Sequence, residues 1–133
     1  MWEYALKNPH NKGSDVGKWL VFVDTNERNE VWNNITSSLK TGPLSKYAIQ
    51  AKIALKASFN KHENKHMFVI CIYLPDSNNI EDVKNAMKEI RKIKQNGTFF
   101  YKTNEQTRKG IYSGNKQKPY IYISYNYNHF NKA

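Results

Sequence analysis

A chain of 133 residues fits one domain, and its 21 Lys and Arg against 11 Asp and Glu give a formal charge of +10. The mean hydropathy of -0.81 would suit a disordered chain, but three Trp, nine Tyr and six Phe supply the apolar area that such chains lack. No run nears the ~20 apolar residues of a membrane span, the start MWEYALKNPHNK lacks the order of a signal peptide, and the single Cys71 excludes an intrachain disulfide or a cysteine-based zinc cluster, so a cytoplasmic protein without metal or cofactor is expected.

Residues 1–16 are polar around Trp2, Tyr4, Leu6 and Val16 and read as an amino-terminal arm or edge segment. Gly17 to Asp24 is β-branched and aromatic between turn formers, a first strand. Asp24 and Glu27 have the spacing of a capping box, and Val31, Trp32, Ile35 and Leu39 then recur at helical intervals until Gly42-Pro43. From Tyr47 the period becomes two, with Tyr47, Ile49, Ala51, Ile53, Leu55 and Ala57 on one face and Lys46, Lys52 and Lys56 on the other. A polar turn around His62 and His66 leads into the apolar run Met67–Leu74, so these two runs form a hairpin with a central second strand.

Glu81 and Asp82 open a second helix whose stripe is Val83, Ala86, Met87, Ile90 and Ile93, with Arg91, Lys92 and Lys94 placed where a helix carboxyl end favours cations. Thr98–Lys102 and Tyr120–Tyr125 are two further strands, separated by a basic loop, and residues 126–133 read as frayed. The order β-α-β-β-α-β-β predicts an α+β domain over 1–133: a largely antiparallel sheet with two helices on one face. The uncovered face is then a concave, basic, aromatic surface where function is to be sought.

The charge is uneven. From Arg91 onward there are nine basic residues and one acidic, Glu105, whereas residues 1–90 have twelve and ten. An anionic partner is implied: a nucleotide, short RNA, or an acidic or phosphorylated protein. Lys102, Thr103, Arg108, Lys109, Tyr112 and Lys118 cluster after a strand, where Arg offers a fork for two phosphate oxygens and Lys a point charge. Lys52 and Lys56 would line a groove about 13 Å apart along one strand. Trp32 belongs to the core; Trp19 and Tyr112 could stack on a ligand, and Trp2, in a polar arm, could stack on a base or close the end of the sheet. His62 and His66 fall in a turn flanked by Lys, with no acidic trio nearby to complete a metal site. An acid–base pair such as Lys102 with Tyr112 is the alternative for an enzyme.

Gly17-Lys-Trp-Leu-Val-Phe, Val31-Trp32, Ala51-Lys52, Ile70-Cys-Ile-Tyr-Leu-Pro-Asp76 and Tyr101-Lys-Thr with Gly110-Ile-Tyr-Ser113, in that order, resemble the family named after a basophilic-leukaemia-expressed protein. The resemblance runs from about Trp2 to Tyr122. It implies the fold of the cap-binding translation initiation factor, a curved antiparallel sheet backed by helices, and puts Lys52 or Lys56 at that factor's phosphate-contacting position. That factor stacks its methylated base between two loop Trp residues, whereas in this sequence Trp2 alone is a candidate loop Trp. Some bacterial relatives are labelled phosphothreonine lyases, a chemistry for which Lys102, Arg108 and a His or Tyr would supply base, phosphate anchor and acid. The expected function is a binding module for a phosphate-bearing ligand, either short RNA or a nucleotide, including a signalling nucleotide that it would sequester. The alternatives are a small enzyme, lyase or phosphodiesterase, on a phosphorylated substrate, and a basic protein-interaction domain.

Overall fold

The computed structural model describes residues 2–6, 15–104 and 120–133. Its strands are Trp2–Leu6 (β1), Gly17–Val23 (β2), Gln50–Ala54 (β3), Ser58–Asn60 (β4), Lys65–Leu74 (β5), Phe99–Thr103 (β6), Tyr122–Ser124 (β7) and Asn131–Lys132 (β8). The helices are Arg28–Thr41 (α1) and Ile80–Ile93 (α2), with a 3-10 turn at Pro43–Lys46. Every strand pairing is antiparallel in the order β1-β3-β5-β2-β6-β7-β8, and β4 pairs with β5. This is the α+β layout the sequence predicts: a curved, open sheet with both helices on one side.

Strand parity creates the two faces. Trp19, Val21 and Val23 of β2 point to the helices with Ile70, Ile72 and Leu74 of β5, and meet Val31, Trp32, Ile35 and Leu39 of α1 and Val83, Ala86, Met87 and Ile90 of α2. Burying each such aliphatic side chain contributes about 1.5–3 kcal/mol, so this layer outweighs any single polar contact. Two indoles fasten it: Trp19 Nε1 donates to the Val83 carbonyl (2.9 Å) and Trp32 Nε1 to Glu3 Oε2 (2.8 Å). The capping box forms, one turn ahead of the regular helix. Asp24 N–H donates to Glu27 Oε2 (3.1 Å) and Glu27 N–H to Asp24 Oδ1 (2.9 Å).

Several expectations are corrected. The alternating run ends at Ala54, and Lys46 lies in the 3-10 turn. Since Ile53 faces Ile70 and Ser58 faces Met67, residues 54–57 stand opposite only 68–69, and this bulge leaves Leu55, Lys56 and Ala57 exposed. Of the expected arm or edge segment, residues 2–6 take the edge alternative as strand β1. The carboxyl-terminal segment includes β8 because Phe130 stacks on Tyr122 (4.9 Å) and packs edge-on to Trp19 (6.1 Å). Arg91, in the last turn of α2 as expected, is buried over the Phe99 ring (3.6 Å), donating to the Ser124 and Gln95 carbonyls. Burial lowers its pKa to about 10, which leaves it charged at neutral pH. Lys94 is likewise buried, with Nζ 2.9 Å from both Glu27 carboxylate oxygens.

Candidate functional site

The face away from the helices is built from the opposite parity. On β2 these residues are Lys18, Leu20 and Phe22. Register sets Lys18 beside Tyr73 of β5 and Lys102 of β6, and Leu20 beside Cys71 and Phe100. Lys52 of β3 lies beside Cys71, and on its other side beside Tyr4 of β1. Neighbouring strands are about 4.8 Å apart, so Lys18 and Lys102 can grip one anion together while Lys52 approaches from two strands away.

Above this floor lie two adjoining cavities of about 310 and 300 Å³ that share Leu20, Phe22, Phe59, Asn60 and Lys102. Each is near the lower size of a small-molecule site. Trp2, Lys18, Lys52 and Cys71 close one end, and His62, Phe100 and Tyr120 the other. The bulge at 54–57 carries β4 back along β5, placing Phe59 on the rim and Asn60 in the wall. Tyr120 leans on Phe100 (4.6 Å) and so does His62 (5.0 Å). No carboxylate lines either cavity among the described residues.

Cations and carboxylates meet elsewhere in the fold. Lys94 is matched by Glu27 and Lys65 by Asp24 (3.4 Å), and an adjoining cavity of about 190 Å³, which shares Phe22, Asn60, His62 and Phe100 with the groove, sets the carboxylates of Asp24, Glu27 and Glu63 against these two lysines. In the groove, burial lowers the Lys18 pKa, with neighbouring Lys52 acting the same way and Cys71 opposing; burial and then Lys18 lower that of Lys102. The Cys71 thiol is raised by burial, against the pull of Lys18 and Lys52, and the Tyr73 hydroxyl is raised by burial. Lysines short of solvation gain from an anion that restores it.

Of the residues singled out from sequence, Trp2, Lys52 and Lys102 come together here, with Lys52 Nζ 3.9 Å from the Trp2 ring centroid. Trp19 does not: it is fully buried on the helix side, its N–H already bonded, and is unavailable for stacking. Lys56 is exposed in the bulge, outside the groove lining. Thr103 pairs with Gly17 and shares the parity of buried Tyr101, on the helix side. Arg108, Lys109, Tyr112 and Lys118 lie outside the described residues. Sequence reasoning passed over Lys18, which lines the groove beside buried Cys71. The signal was the parity of β2: once Trp19, Val21 and Val23 are inward, Lys18, Leu20 and Phe22 must face the other way.

Comparison with known proteins agrees with this architecture. The family model described as basophilic leukemia-expressed protein Bles03 matches residues 6–108. No curated protein sequence matches the chain. Among solved structures, a schistosome eIF4E complexed with m7GpppA and 4E-BP superposes with a TM-score of 0.59 at 14% identity, over 83% of this chain and 59% of that one. Ascaris suum eIF4E-3 with m7G cap gives 0.59 at 13%, over 89% and 66%. C. elegans eIF4E-3 with the 4E-binding protein Mextli and a cap analog gives 0.62 at 12%, over 81% and 65%. The likeness is one of fold, and this chain spans about 59–66% of the length of those proteins.

Proposed function

This chain belongs to the basophilic leukemia-expressed protein Bles03 family, and we propose that it binds a phosphate-bearing ligand, a nucleotide or short RNA, in the groove of its open sheet face. One observation carries the reading: Lys18, Lys52 and Lys102, from three strands of one sheet, meet in an aromatic groove that no carboxylate lines among the described residues. Aligned neighbours that hold cap nucleotides support it as analogy of fold. In this reading the three ammonium groups hold phosphates, Trp2 and Phe59 offer stacking surface, and Arg108, Lys109, Tyr112 and Lys118 of the basic segment add further contacts.

The test is calorimetric titration at two salt concentrations with inorganic phosphate, pyrophosphate, mono-, di- and cyclic nucleotides, and short RNA. For the short RNA, three phosphate contacts predict a log–log salt slope of about -2, and Lys18→Met should weaken binding and reduce that slope by about 0.7. A panel without binding, or a slope that K18M leaves unchanged, would remove the groove as a phosphate site.

A further inference from the structure

The groove's tryptophan already has a cation on its ring. Lys52 Nζ stands 3.9 Å from the Trp2 centroid, close enough to engage the negative face of the indole. The same ammonium is 5.9 Å from the Tyr73 ring, which also has Lys18 Nζ at 5.5 Å. Trp2 in the groove and Tyr73 of β5 therefore both face lysines of the protein itself.

A positively charged base would compete with Lys52 for the same π-density and be repelled by it and by Lys18. Among the described residues no carboxylate lines the groove to offset that repulsion. The Asn60 side-chain carbonyl accepts from the backbone N–H groups of His62 (2.9 Å) and Glu63 (3.0 Å), so Asn60 offers the groove its amide N–H, another donor. An uncharged base meets none of this opposition, and its ring nitrogens and carbonyls are acceptors for these donors.

We propose that Lys52 is a charge filter on the base: the groove admits phosphate-bearing ligands whose base is uncharged and turns away those whose base carries a fixed positive charge, such as N7-methylguanine. The inference rests on the phosphate-binding reading and separates this chain from its cap-bound structural neighbours. It makes Lys52 a specificity-determining residue as well as a phosphate contact.

The experiment compares GDP, 7-methyl-GDP and the uncharged isostere 7-methyl-7-deaza-GDP by calorimetry under mildly acidic conditions, with inorganic pyrophosphate as reference. In the wild type GDP and the isostere should bind alike, and 7-methyl-GDP about tenfold more weakly. Lys52→Met should weaken every ligand and bring the GDP to 7-methyl-GDP ratio close to one; Lys52→Gln replaces it if the melting temperature shows that K52M does not fold. The filter is overturned if 7-methyl-GDP binds as tightly as GDP, if the isostere binds as weakly as 7-methyl-GDP so that size decides, or if the ratio survives loss of the ammonium. Pyrophosphate binding without any purine diphosphate overturns the filter and leaves the phosphate site standing. Failure of pyrophosphate, nucleotides and RNA alike removes both.

Discussion

Gly17 has no room for a side chain. A Cβ there would collide with the Tyr101 hydroxyl and the Ser77 Oγ, which bond each other at 2.9 Å in the core. Tyr101 cannot move aside, since its ring is fully buried and set edge-on to Trp19 at 5.3 Å. Gly17→Ala should therefore cost about 1–3 kcal/mol, seen as a lower urea midpoint with an unchanged m-value. The next two residues show what a single position discloses. Lys18 and Trp19 belong to opposite faces by parity alone, so an inward Trp19 puts Lys18 on the groove face. Burial of Trp19 follows from its alternation with Val21 and Val23; its bond to the Val83 carbonyl, 64 residues away, has no local signature.

Between β2 and α1 the stabilising device is the Asp24–Glu27 box. Removing one of its carboxylates, as in Asp24→Ala, should cost about 1 kcal/mol. The Glu27 N–H, with help from Lys65, holds the Asp24 carboxyl below its ordinary 3.8 despite an opposing desolvation. A depressed value means that the contribution is complete above 3.8 and is lost as pH falls through the lower folded-state pKa. Urea denaturation of wild type and D24A should accordingly show a gap near neutrality that narrows in acid. Spacing alone revealed this box, as it revealed β2, β5 and both helical stripes, because each depends on residues a few positions apart. The bulge at 54–57 was illegible for the converse reason: an insertion is defined only against its partner, here 68–69. Arg91 lies four residues beyond Met87, on the inward side of α2, at the carboxyl end where a cation is expected; the carbonyls of Ser124 and Gln95 that receive it become visible only in the fold.

Across the molecule, charge is sorted. The sequence tally pointed to the last third of the chain, whereas the described groove draws its lysines from positions 18, 52 and 102. Burial lowers the Lys18 and Lys102 values below 10.5, so between those lowered values and 10.5 the unfolded chain holds more protons and stability should rise with pH. Ligand binding should run the other way, because a bound phosphate favours the charged lysine. Thermal denaturation of the free protein from neutral to alkaline pH, compared with Lys18→Met, should show this rise flattened in the variant, while wild-type affinity for pyrophosphate declines over the same range with proton uptake on binding. The helix-backed, antiparallel architecture was legible as a whole. Which residues share the groove was not, because their convergence depends on registers between distant strands.

β1 occupies the edge of the sheet, joined to β3 with Trp2 opposite Ala54 and tied to α1 through the Glu3–Trp32 bond. Its partners lie about fifty positions along the chain. Edge strands fray while central ones hold. The aromatic wall at one end of the groove is thus carried by an edge strand. A ligand resting on Trp2 would draw that strand shut, and its grip would be limited by how often the edge lets go.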